Sequence, residues 1–361
     1  MINNTLKENP SYVLRNKIPG KELNQRGHRV FYQLEAFENS FDYDNYDIFV
    51  FNRFYEGEMY DLISYLKKMG KIIVYETDDN YFGINSKLPT HKMRKHAIKS
   101  SFELAQHAHV ITVSTPNLKE IFEKKFPGKP IFQIPNALDL DDYEQREARK
   151  KLRIGWQGSD VHISDLLMVM PTIKKLQDEF DFKFILFGID GIPIKEFYEF
   201  AKKRNRGDKW EKDIIELYEV LETMDYIHYP FEKDYASYRK KLASLDLDIG
   251  ICPLEDTAFN NAKSCLKFYE YAATGTTALA SNVEPYNTEM YKKDMADNTP
   301  EDWGDKLRKL IEDKDYRFRR HVAQRSWLKG CRDIKKVARD WESVYNLLIE
   351  SRNNENITNK K

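Results

Sequence analysis

Leu247–Ser281 reads LDIGICPLEDTAFNNAKSCLKFYEYAATGTTALAS, and its order of apolar run, polar loop, amphipathic stretch and second apolar run decides the fold class. Leu247–Cys252 and Thr277–Ser281 have the length and apolar density of buried strands, so the segment predicts a strand-loop-helix-strand unit of a parallel sheet. A helix over Ala262–Thr274 would place Lys263, Lys267 and Glu270 within about 60° of one another. Cys265, Phe268, Tyr269 and Ala272 fall roughly opposite. Two ammonium groups near the helix start and a carboxylate two turns on suit a nucleoside diphosphate, with phosphates at the lysines and first-turn N–H groups and ribose hydroxyls at Glu270. The same pattern fits an amphipathic helix with a solvated charged face.

Working outward, apolar strands alternate with helices along the whole chain, which predicts an α/β architecture. Asp47–Asn52, Lys71–Glu76, His109–Ser114 and Pro130–Ile134 read as strands, with helices over Tyr60–Lys68, Ser101–His107 and, behind Pro116, Asn117–Phe126. Leu138–Arg153 is charged and lacks a strand pattern, so the domain boundary is placed there. A second series runs through Leu152–Trp156, Phe182–Phe187 and Asp225–Tyr229 into the opening segment. The expected organisation is two Rossmann-like domains facing each other across a cleft, residues 1–145 and 146–330. A helix in 331–350 follows, with Val337, Trp341, Val344, Tyr345 and Leu348 on one face, and 351–361 reads as a polar tail.

The chain has 361 residues, and its 58 basic side chains balance its 58 acidic ones. That balance gives no global bias toward nucleic acid or an anionic membrane. Cys252, Cys265 and Cys331 are widely spaced and read as reduced thiols. The first residues lack a signal-peptide pattern and no apolar run approaches the roughly 18 residues that span a bilayer, so the expected location is cytoplasmic. Neither strand-to-helix turn offers a G-x-G-x-x-G, which argues against a nicotinamide enzyme. The stretch Phe197–Asp213 is unusually charged and reads as a solvated helix and loop or as a grip on an anionic acceptor.

Two further places carry candidate chemistry. In Ile154–Leu166 (IGWQGSDVHISDL), Gly158 lets backbone approach a phosphate and Ser159 can donate to it, while His162 is a phosphate or sugar contact or a local cap. Asp78 and Asp79 follow directly on the strand Lys71–Glu76, at the end where open parallel sheets place ligands. They can orient an acceptor hydroxyl or hold its proton, or else cap the next helix.

These segments together resemble the GT-B glycosyltransferases of the family 4 type, grouped under glycosyltransferase family 1, in bacterial and phage forms. The likeness rests on Ile154–Leu166, on Leu247–Ser281 with its E-Y-A-A-T-G ending, and on the paired acids of Val74–Asp79. It implies a donor site in the C-terminal domain formed by Gly158, Ser159, His162, Asn260, Lys263, Ser264, Lys267 and Glu270, and a closing helix that crosses back to the N-terminal domain. Tyr12–Gly27 resembles the first cleft loop and helix, where Arg15 would face the diphosphate or an anionic acceptor or form a structural interdomain ion pair. Many relatives carry a glutamate eight positions before the one matching Glu270; here Ala262 stands there, and Glu255, Asp256 or Asn260 would take over its contacts.

The resemblance implies transfer of a sugar from a nucleotide diphosphate sugar, a UDP- or GDP-sugar, with retention, no cofactor and no essential metal. The resemblance does not supply the acceptor, and the expected one is a hydroxyl of a bacterial glycan or glycoconjugate. Two alternatives stand beside it. One is a phage-type enzyme acting on a hydroxylated base of nucleic acid, which the zero net charge disfavours. The other is a non-catalytic nucleotide-sugar-binding protein. The residues select neither base nor sugar nor oligomeric state.

Overall fold

The computed structural model describes residues 2–3, 10–32, 42–53, 59–83, 91–143, 151–232 and 234–358. Among them two parallel sheets form. The first comprises β1 (Ile2–Asn3), β2 (Ile48–Asn52), β3 (Ile72–Thr77), β4 (Val110–Val113) and β5 (Ile131–Gln133) in sequential order. The second comprises β6 (Leu152–Ser159), β7 (Phe182–Ile189), β8 (Tyr226–Pro230), β9 (Ile249–Cys252), β10 (Thr277–Ser281) and β11 (Met295–Ala296), in the order β11-β10-β9-β6-β7-β8. The expected boundary near residue 145 falls in 144–150, outside the described residues.

Alternation along β2 and β3 explains how the first sheet is covered. Phe49, Phe51, Ile73 and Tyr75 point into one core with Leu62, Ile63, Leu66, Leu118 and Phe122, the apolar stripes of the flanking helices. Val50, Ile72 and Val74 point to the other face, where Tyr345, Leu348 and Ile349 of the C-terminal helix cover them. That helix, Ile334–Thr358, therefore does cross back to the first sheet. It also runs further than its apolar pattern suggests, so most of the expected polar tail is helical. Trp341 and Val337 sit in a shared core with Leu14, Ile18 and Leu138, where burying one such side chain contributes on the order of 2 kcal/mol.

The chain passes between the halves twice, and the two passages are bonded together. Leu138 N–H donates to Arg332 O at 2.9 Å and Ile334 N–H to Leu138 O at 2.9 Å, around a parallel bridge between Leu138 and Asp333.

The carboxyl ends of both sheets meet. Beyond β3, Asn80 Nδ2 donates to Ala258 O at 3.4 Å, and beyond β4, Thr115 Oγ1 donates to Ala262 O at 2.9 Å. Beyond β5, Asn136 Nδ2 donates to Ser264 Oγ at 2.8 Å, and Asn117 Nδ2 reaches Glu284 Oε2 at 3.0 Å. In the second sheet the order reverses between β9 and β6, so the loops after these neighbours diverge and leave a crevice. Among the described residues no helix is long and apolar enough to cross a membrane.

Candidate active site

The residues after β6 and β9 line this crevice. β6 is longer than expected and ends with Gly158 and Ser159 in strand conformation. After β9 the chain makes a 3-10 turn at Asn260–Ala262, passes through extended Lys263, and enters the helix Leu266–Thr274. The expected start at Ala262 is thus four residues early. Thr257 takes the N–H of Asn260 on its side chain and that of Asn261 on its carbonyl, and Thr115 takes the Ala262 carbonyl. Local side-chain bonding and a contact across the cleft displace the first helical turn. Gly275, at φ 89°, ends the helix in the left-handed conformation that favours glycine.

Lys267 lies in the first turn of that helix, and no side chain caps the turn. Its Nζ is buried, lies 5.0 Å from the centre of the Trp156 ring and, among the described residues, has no hydrogen-bond partner. Burial draws its pKa down to about 8, with Asp165 opposing and the charge of Lys263 adding to the shift. Gly158 adjoins it, since a Cβ there would stand 3.1 Å from Lys267 Nζ and 2.6 Å from the Trp156 ring. The missing side chain is what keeps space open beside the ammonium.

Lys263, off the helix, is held differently. Its Nζ lies 3.1 Å from His162 Nε2 and 4.8 Å from the Phe259 ring centre. His162 Nδ1 is 2.6 Å from Asp165 Oδ2. The histidine makes no side-chain cap, which removes the local alternative for it. Burial and the neighbouring Lys263 and Lys267 charges hold its pKa down to about 3, so the ring is neutral. Asp165 was not singled out in the sequence. A lone aspartate six residues beyond Ser159 carries little local signal, because two of its three partners, Glu255 and Asn260, come from the loop after β9.

Glu270 departs from the expected polar face. It is 2% exposed and accepts from Gln157 Nε2 at 2.9 Å, Tyr235 OH at 3.0 Å and Tyr238 OH at 2.7 Å. Burial raises its pKa, against the hydrogen bonds from Tyr238, Gln157 and Tyr235. Both faces of this helix are buried, the carboxylate inside a cage of tyrosines stacked on Phe187. Asn260 is also committed: its amide donates to Asp165 Oδ1 at 3.2 Å and to Glu255 O at 3.0 Å. Asp256 accepts from Asn261, which leaves Glu255, half-buried and raised in pKa by burial, as the carboxylate of this loop nearest to a substrate role. Ser264 Oγ accepts from Asn136 and keeps its proton for another acceptor.

In the facing half, Asp78 accepts from the Ser11 hydroxyl, and Asp79 accepts from Arg53 at 2.7 Å. Burial and the charge of Asp79 raise the pKa of Asp78, against the pull of Arg53 and Ser11. Asp79 is thus paired with arginine, while Asp78 is held by the Ser11 hydroxyl. Arg15 forms a structural ion pair inside its own half and not between the two. It is 1% exposed, bonded to Glu76 at 2.6 Å, to Ile134 O at 2.7 Å and to Asn136 Oδ1 at 3.0 Å, and stacked 4.9 Å from the Trp341 ring. In the basic stretch Arg204 pairs with Asp208 and Glu211 at 2.9 and 3.5 Å, and Lys209 with Asp213 at 3.1 Å.

The architecture is that of the GT-B glycosyltransferases. Sucrose-phosphate synthase from Thermosynechococcus elongatus superposes with a TM-score of 0.61 at 10% identity, over 85% of this chain and 75% of that one. A glycosyltransferase from Rickettsia africae matches at 0.58 and 13% identity, over 91% and 87%. HepE from Anabaena, crystallised with UDP-glucose, matches at 0.57 and 10% identity, over 83% and 79%. No protein-family model and no curated protein matches the sequence.

Proposed function

We propose that this protein is a glycosyltransferase that moves a sugar from a nucleoside diphosphate sugar to an acceptor hydroxyl. The observation that carries the reading is the buried Lys267 ammonium, without a hydrogen-bond partner among the described residues, beside the notch at Gly158 and at the topological switch point of a parallel sheet. A buried cation of this kind calls for an anion. Lys263, Ser264, Ser159 and the uncapped helix start extend the same grip. The UDP-glucose bound by the HepE neighbour supports a UDP-sugar as donor, with a GDP-sugar as the other candidate.

As the bond from the anomeric carbon to the diphosphate oxygen breaks, charge grows on the leaving phosphate. Cations already fixed at that place lower the barrier without reorganising. The acceptor oxygen forms the new bond, and its proton passes to the leaving phosphate on the same face, with Asp78 orienting the hydroxyl. Retention and independence from an essential metal rest on the family resemblance, and a glycan or glycoconjugate is the acceptor proposed beside them. The zero net charge of the chain weighs against a nucleic-acid acceptor.

A thermal-shift panel of UDP-, GDP-, ADP- and dTDP-sugars tests this directly. One donor should raise the unfolding temperature and, on incubation, release its free nucleoside diphosphate. If none of them stabilises the protein, the donor-site reading is wrong; stabilisation without release would mark a binding protein instead.

A further inference from the structure

We infer that Asp165 and His162 form a positioning pair that aims the Lys263 ammonium at the donor diphosphate, an assignment that rests on the proposed nucleotide site. The geometry leaves one consistent arrangement of protons. Asp165 is 4% exposed, and its Oδ1 accepts the Glu255 N–H at 2.7 Å and the Asn260 amide at 3.2 Å. Burial would raise its pKa, but the bonds from His162 and from the Glu255 N–H hold it below the usual carboxylate range, so it is ionised and only accepts. The proton between it and His162 therefore sits on Nδ1 of the imidazole. An ammonium only donates. His162 Nε2 must then carry its lone pair toward Lys263, 3.1 Å away. Both ends of the ring specify the same tautomer.

The consequence concerns aim. A lysine is a point charge on four rotatable methylenes, and its ammonium is poorly fixed unless something holds it. His162 takes one of its three protons and the Phe259 ring supports it at 4.8 Å, which leaves two protons for an anion. Because Lys263 stands outside the helix, helix geometry does not place it, and the pair after β6 supplies what the helix does not. Asp165 also ties the loop after β9 to the loop after β6, so one buried carboxylate sets both walls of the crevice.

Three substitutions separate this from a structural role. In Asp165→Asn the amide oxygen keeps the bonds to Glu255 and Asn260 while its NH₂ faces His162, which inverts the tautomer and turns an N–H toward Lys263. His162→Asn keeps a donor toward Asp165 but offers Lys263 nothing, whereas His162→Gln puts an acceptor near the former Nε2. UDP and pyrophosphate binding are measured by calorimetry, unfolding by urea, and the His162 tautomer by two-bond nitrogen-proton NMR in nitrogen-15 labelled protein. Asp165→Asn and His162→Asn should each weaken UDP and pyrophosphate about tenfold, near 1.4 kcal/mol, and His162→Gln should restore most of the loss. The wild-type ring should carry its proton on Nδ1 and that of Asp165→Asn on Nε2. A proton on Nε2 in the wild type, or UDP binding to a folded His162→Asn as tight as to the wild type, overturns the positioning pair and leaves the nucleotide site standing. A wild type that binds neither ligand overturns the nucleotide site, and with it the role assigned to Lys263.

Discussion

Asn136 Nδ2 lies 2.8 Å from Ser264 Oγ, joining the end of the first sheet to the residue that follows Lys263. Its Oδ1 accepts from Arg15, so the orientation of the amide is fixed from both sides. A hydrogen-bonded line thus runs from Glu76 through Arg15 and Asn136 to Ser264. A double-mutant cycle of Asn136→Ala and Ser264→Ala should show a coupling of about 0.5–1.5 kcal/mol in urea unfolding. Additive losses would mean that the two side chains do not meet in solution.

Arg15 is a structural cation and its removal should read as such. Arg15→Met leaves Glu76 buried without its ion pair, so unfolding free energy should fall by about 3–5 kcal/mol. Nucleotide affinity of the remaining folded protein should be unchanged. A loss of UDP affinity with stability intact would return Arg15 to the substrate.

Lys267 predicts both a loss and a pH profile. Lys267→Met keeps the bulk over Trp156 and removes the charge, and should weaken UDP by about tenfold or more. In the free protein the ammonium titrates near 8, being charged below that pH and neutral above it. An anion binds the charged form, so wild-type UDP affinity should decline as pH rises past about 8, and that decline should vanish in Lys267→Met. Calorimetry between pH 6.5 and 9.5 decides; a flat wild-type profile contradicts the assignment.

Tyr238 donates to Glu270 at 2.7 Å, and under the proposed donor site a ribose hydroxyl would compete for the same carboxylate oxygen. If the ribose replaces it, Tyr238→Phe gives up no bond on binding, and UDP should bind equally or more tightly than to wild type. Affinity lowered tenfold would show that Tyr238 supports the ribose instead of yielding to it.

Asp78→Asn removes the acid poised at the facing sheet while keeping its size. Turnover should fall about 10²-fold with donor affinity unchanged, since losing the orientation of a reacting hydroxyl costs on that order. Asp79→Asn should lower stability through its Arg53 partner more than it lowers turnover.

Strands that carry consecutive apolar residues were legible in the sequence to within two or three residues, because burial on both faces of a parallel sheet leaves few other arrangements. Lys267 and Gly158 were legible too, as part of a local pattern. What escaped was everything decided between segments far apart in sequence. Lys263 left the helix because Thr115, from the other half, takes the Ala262 carbonyl, and Glu270 became buried because Tyr235 and Tyr238 close over it. Asp165 escaped for the same reason, since two of its three donors come from the loop after β9.

The bonded crossing at Leu138 and Arg332–Ile334 gives the two halves a shared pivot. A single covalent tether would let them drift apart in any direction. Two passages joined by backbone bonds resist separation and shear better than one tether would. The meeting of Asn136 with Ser264 is thereby backed by main-chain bonds that no side-chain substitution in the crevice removes.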